Sequence, residues 1–155
     1  MPTFTPLRAD IVALDAEENP VLVGEIKASD TLPDTALEQL QAIWSEMPAP
    51  FALLADLQRL RLLRWDGAEF ETIFEAPTAQ ILSAYDADFA HKPIFDHYFG
   101  SLIEAWLNDL SYRWKHPEPP GWQELTEIGF VSNLADTTFI AEPELRPKGW
   151  YVSES

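Results

Sequence analysis

Two apolar runs placed almost back to back constrain this chain more than any other feature. Residues 9–14 read Ala-Asp-Ile-Val-Ala-Leu and residues 20–27 read Pro-Val-Leu-Val-Gly-Glu-Ile-Lys, with Asp-Ala-Glu-Glu-Asn between them. β-Branched runs joined by a short polar connection predict an antiparallel hairpin. Neither run alternates cleanly between apolar and polar, so both faces need cover. That places the hairpin inside a sheet rather than on a surface. A four-residue loop over 16–19 pairs residues whose numbers sum to 35: Asp15 with Pro20, Leu14 with Val21, Val12 with Val23 and Asp10 with Glu25.

After the hairpin the period changes. Ser29, Asp30 and Thr31 offer helix caps, Pro33 suits a first turn, and Asp34 and Glu38 complement the helix dipole. Leu32, Ala36, Leu37, Leu40, Ile43, Trp44 and Met47 recur at helical spacing until Pro48 and Pro50 stop the pattern. Strands are predicted over 51–56, 59–65 and, past the Asp66-Gly67 turn, 69–74. A short helix over 76–85 leads to a linker at 86–93 carrying His91. A long amphipathic helix over 94–114 then presents Phe95, Phe99, Leu102, Trp106 and Leu110 on one face. Prolines at 117, 119 and 120 end it; one further helix to Leu134 and irregular or extended chain complete the pattern. The expected fold is α/β: a mixed sheet with a central hairpin in residues 1–75, and a mostly helical extension, 76–155, packed on it as one unit.

A chain of 155 residues suits one domain with a real core. Six Trp, nine Phe and four Tyr exclude disorder. No apolar run nears the ~18 residues of a membrane span and the N-terminus has no signal-type apolar segment, which predicts a cytoplasmic protein. The absence of cysteine excludes disulfides, thiolate metal sites and a cysteine nucleophile. Ten Lys and Arg against 26 Asp and Glu give a net charge of −16, which opposes broad non-specific nucleic-acid binding.

Chemistry concentrates at Asp10, Glu25 and Lys27. Side chains two apart in a strand share a face, so Glu25 and Lys27 project together. Residues directly opposed across the hairpin stand roughly 4.5–5.5 Å apart at Cβ, and two carboxylates that close repel. Lys27 offsets part of the repulsion and a divalent cation offsets more. Oxygen ligands without Cys or a His cluster favour Mg2+ or Mn2+ over zinc, with the Ile26 carbonyl as a further oxygen. Such a site suits phosphodiester hydrolysis, in which Asp10 and Glu25 are ligands and Lys27 orients water or steadies phosphate oxygens.

A strand aspartate, a hairpin and the run Val-Leu-Val-Gly-Glu-Ile-Lys at 21–27 resemble the PD-(D/E)XK superfamily, the restriction-endonuclease-like fold. The nearest likeness is to uncharacterised cyanobacterial-type proteins related to the N-terminal nuclease domain of type I restriction subunits. It covers residues 8–65, where hairpin, helix, strand and strand follow the family's order. The resemblance implies a Mg2+- or Mn2+-dependent endonuclease acting on DNA. It also implies a role for Gln39, since related nucleases carry a Gln near the scissile phosphate on this helix, although Ile43 replaces the usual aromatic. Two departures stand out. Ala9 replaces a proline, and the family's opening helix, often bearing a Glu, and usually another strand come before the aspartate, where this chain has nine residues. The long helix carrying Glu104, or another chain, would have to fill that place.

Competing readings remain for the same residues. The hairpin is a surface element with an ordinary Glu–Lys pair, or the nuclease fold survives without its chemistry as a protein-interaction or regulatory module. A DNA-mimicking inhibitor is suggested by charge alone, and Trp106 or Trp114 offer homodimer contacts. Arg59 and Arg61 share a strand face and either grip a phosphate backbone or, with Arg64, guard an edge strand. His91, His97 and His116 lack ligand spacing and read as solvated or capping; Glu104 and Asp109 read as solvent-facing.

Overall fold

The computed structural model describes residues 7–146 and 149–151. In chain order the elements are β1 (Leu7–Arg8), β2 (Ile11–Leu14), β3 (Pro20–Ile26), α1 (Asp34–Glu46), β4 (Phe51–Ala55), β5 (Arg59–Trp65), β6 (Phe70–Pro77), α2 (Thr78–Leu82), α3 (Asp96–Tyr112), α4 (Trp122–Glu127), α5 (Phe130–Leu134), β7 (Thr138–Ala141), β8 (Glu144–Arg146) and β9 (Gly149–Tyr151). Six strands form a mixed sheet in the order β6-β5-β4-β3-β2-β7, and β1, β8 and β9 form a small second sheet. Only β3 and β4 run parallel; the other neighbours in the large sheet are antiparallel. The mixed α/β architecture expected from the sequence is present.

The hairpin lies inside the sheet, with β7 beside β2 and β4 beside β3. Ile11 faces Gly24 and Val12 faces Val23, the register expected from the sequence. The turn end departs from it: an irregularity between Ala13 and Leu14 brings Leu14, not Asp15, opposite Pro20. Asp15 is drawn into the turn instead, its carboxylate accepting the N–H groups of Glu17 and Asn19 at 2.9 Å. Gly24 is dictated by closeness, because a Cβ there would stand 2.7 Å from Ile11 Cγ2.

Period-two alternation splits the core into two layers. Val12, Val23, Ala52 and Leu54 pack with Leu40, Ile43 and Trp44 of α1. Ile11, Leu22, Ile26 and Leu53 pack with Phe99, Ile103, Trp106 and Leu110 of α3. Helices therefore cover both sheet faces, as two nearly continuous apolar strands require.

Several local expectations are corrected. Pro33, extended at ψ 153°, precedes α1 without any side-chain cap, and the Ser29 hydroxyl is spent on the Thr31 carbonyl. Phe95 does not join the apolar face of α3: it precedes the first helical turn in extended backbone, so the 3.6-residue period does not reach it. It is 74% exposed. Gly129, at φ +84°, divides the single helix expected after Trp122 into α4 and α5. Asp109 is wholly buried rather than solvent-facing. It accepts hydrogen bonds from the Tyr85 hydroxyl at 2.7 Å and the Lys115 and His116 N–H groups at 2.9 and 3.2 Å, and lies 2.8 Å from His116 Nδ1. Burial pushes its carboxyl up, but these hydrogen bonds outweigh burial and hold it below the usual range. Among the described residues no helix is long and apolar enough to cross a membrane.

Candidate functional site

Asp10 stands immediately before β2, where its N–H donates to the Gly24 carbonyl at 3.0 Å. That bond holds the backbone against β3. One carboxylate oxygen accepts the Ile26 N–H at 2.6 Å, and Lys27 Nζ lies 3.4 Å from the same oxygen and 3.5 Å from the other. Lys27 follows the last residue of β3, yet its N–H still donates to Ala55 at the end of β4 at 3.0 Å. The site therefore lies at the carboxyl ends of the parallel pair β3 and β4, where open α/β sheets commonly bind ligands.

Glu25, 1% exposed, completes the group. Burial first, then the charge of Asp10 and a hydrogen bond with it, push its carboxyl up to about 8, against the opposing pull of Lys27. Its Oε1 is buried and has no hydrogen-bond partner. The structure thus brings together Asp10, Glu25 and Lys27, as the hairpin register requires.

Above them a cleft of about 160 Å3 opens between the sheet and α3. Asp10, Ile26 and Lys27 form one wall; His97, Gly100, Ser101 and Glu104 form the other. Glu25 is not on either wall; it is buried and hydrogen-bonded to Asp10. Asp96 fixes the geometry, since its carboxylate accepts the Ala28 N–H at 2.6 Å and ties the first turn of α3 to the chain leaving β3. Glu104, expected in solvent, is half-buried on the cleft wall, and burial raises its carboxyl. His97, also read as solvated or capping, stands on the same wall. The signal for both was present: positions 97, 100, 101 and 104 follow helical i, i+3, i+4, i+7 spacing, a polar stripe beside the apolar one.

The other candidates fall outside the cleft. Gln39 donates its side-chain amide to the Arg8 carbonyl, joining α1 to β1 two residues before Asp10. Arg59 pairs with Glu75 at 2.7 Å, and Arg64 lies 3.9 Å from Glu71. Arg61 shares a cross-sheet row with Glu25 through Leu54. Two strand spacings put it about 10 Å away along the sheet.

As a cation site, the group is sparse but coherent. Among the described residues no three His, Asp or Glu side chains cluster closely enough to enclose a metal ion. Mg2+, however, keeps several waters and is commonly held through one or two carboxylates plus substrate phosphate. Asp10, Glu25 and the Ile26 carbonyl would hold it, and the unpartnered oxygen of Glu25 fits that assignment. The Ile26 group that contacts Asp10 here is its N–H.

Searches of family models, curated proteins and solved structures found no match to this chain.

Proposed function

We propose that this protein is a Mg2+- or Mn2+-dependent nuclease of the restriction-endonuclease-like type that hydrolyses DNA phosphodiester bonds. The observation that carries the reading is Glu25: a buried carboxyl with an unpartnered oxygen, set against the Asp10 carboxylate that Lys27 already faces. Ionising Glu25 in that place is costly without a further cation.

Topology supports the same reading. The helix and strand that the family places before the aspartate have spatial counterparts from later in the chain. α3 packs on the face of the sheet formed by Ile11 and Ile26, and β7 pairs antiparallel with β2. Glu104 then projects into the cleft from the helix, as a Glu does in many relatives of this fold.

A divalent cation at Asp10 and Glu25 would neutralise charge on the phosphate and lower the pKa of an attacking water. Asp10, steadied by the Ile26 N–H, presents its carboxylate to the cleft. Lys27, partly exposed at the mouth, supplies the ammonium that orients water or stabilises the phosphate oxygens. Gln39 anchors α1 beneath the site rather than touching substrate.

The test is plasmid and oligonucleotide cleavage in millimolar Mg2+ or Mn2+. Cleavage should need the metal and disappear in Lys27→Ala and Asp10→Asn, while both variants keep the wild-type circular dichroism spectrum. Cleavage that persists in Lys27→Ala would reject the assignment. A second reading, an inactive nuclease-fold module that binds a protein partner, is favoured by the withdrawal of Glu25 from the cleft wall. It predicts no cleavage and no metal-dependent rise in melting temperature.

A further inference from the structure

The nuclease reading leaves open how so acidic a protein holds its substrate. Among the described residues Lys27 is the only Lys or Arg lining the cleft, which Asp10, Asp96, Glu104 and Glu142 also border. Tracking a duplex takes a basic footprint of several phosphate contacts. Of Arg59, Arg61 and Arg64, the nearest thing to one, Arg59 and Arg64 already face Glu75 and Glu71.

Gly100 sits in the second turn of α3 on the cleft wall, and a Cβ there would meet nothing within 4 Å. The helix gives up side-chain contact where the cleft needs room.

Affinity beyond that one ammonium needs another source, and the chain entering the cleft's helical wall offers it. Of the described phenylalanines only Phe95 is exposed, at 74%. It stands in extended backbone at the start of α3, directly before Asp96 and His97, which line the cleft. Aromatic stacking holds unpaired bases with little sequence preference and works together with cationic contacts to the backbone, here Lys27.

We infer that the site takes an unpaired nucleic-acid strand: a base stacks on Phe95 while the adjoining phosphate enters the cleft between Lys27 and the His97–Glu104 wall. This rests on the nuclease reading of Asp10, Glu25 and Lys27.

The experiment measures anisotropy of fluorescein-labelled oligonucleotides in Ca2+, with single-stranded DNA, single-stranded RNA and blunt duplex DNA as separate arms. Cleavage in Mn2+ is followed in parallel. Single strands should bind more tightly than the duplex. Phe95→Ala should weaken single-strand binding by about five-fold or more, and Phe95→Tyr should restore it. An equal loss on DNA and RNA supports stacking as the shared chemistry; a loss on one alone supports that strand as the substrate. Duplex binding as tight as single-strand binding, an unchanged affinity in Phe95→Ala, or no binding of any oligonucleotide would overturn the inference. Strand binding that depends on Phe95 without cleavage removes the nuclease and keeps the strand site. Cleavage of duplex and single strand alike, unaltered in Phe95→Ala, removes the strand preference and keeps the nuclease.

Discussion

Glu25→Gln tests the site through stability rather than activity. Below pH 4.5 the wild-type carboxyl is protonated in both folded and unfolded chains, and pH has no leverage through it. Between 4.5 and about 8 the unfolded chain has released a proton that the folded chain keeps, so each rise of one pH unit favours unfolding by about 1.4 kcal/mol. Stability present below the unfolded pKa is therefore lost as pH climbs through the folded one. Across an assay window of about pH 5.5 to 8.5 the loss is roughly 3 kcal/mol, or about 6–12 °C for a chain of this size. A glutamine at this position cannot titrate, so the variant lacks this slope, and subtracting the two profiles removes the many other acids. Mn2+ should reverse the wild-type trend. Binding needs the carboxylate, so its stabilising effect should grow toward pH 8 and weaken about ten-fold in affinity per unit below it. Urea unfolding at stepped pH, with and without Mn2+, reads both effects. Parallel wild-type and Glu25→Gln profiles would refute a burial-raised carboxyl. A Mn2+ shift surviving in Glu25→Gln would refute its role as ligand.

Two further outcomes probe the cleft and its support. Gly100→Val should leave the fold intact, or stabilise it by about 0.5 kcal/mol from better helix propensity, while filling the cleft and cutting metal-dependent cleavage at least ten-fold. Urea melts and initial rates on one preparation check it; equal activity would show that substrate does not enter past α3. Asp109→Ala strands the Tyr85 hydroxyl and the Lys115 and His116 N–H groups, and should cost about 3 kcal/mol, lowering the melting temperature by about 6–12 °C. The Mn2+-induced shift should survive in that variant, because Asp109 lies outside the cleft.

The parts of this fold legible in the sequence are those set by local pattern. The Val12–Val23 pairing follows from two apolar runs and a short connection, because a one-residue slip would turn every side chain to the wrong face. α1 and α3 follow from their 3.6-residue stripes. What cannot be read depends on distant chain. β7 is a short run whose place beside β2 is fixed only after α3, α4 and α5 have brought the chain back. Asp109 reads as exposed because a charged residue on a helix ordinarily faces water. Its burial needs Tyr85 from before α3, and Lys115 and His116 from after it, turned back past Arg113 at φ +51°. Glu104 and His97 read as solvated for a related reason: the apolar stripe of α3 says which face meets the sheet, not that the sheet ends short and leaves a polar flank over Asp10.

Charge at the cleft also dictates an order of assembly on the proposed reading. Near neutral pH Glu25 retains its proton, so the acids around Asp10 carry less charge than their number suggests. Lys27 is partly satisfied by Asp10 and leaves little net attraction for a phosphate. Asp10 and Glu25 would hold a cation only with the Glu25 proton lost; a cation there would give the unpartnered Oε1 a partner, add positive charge beside Lys27 and so favour an anion in the cleft. Metal before strand is thus the sequence that electrostatics favours, and the raised carboxyl of Glu25 makes the first step pH-dependent.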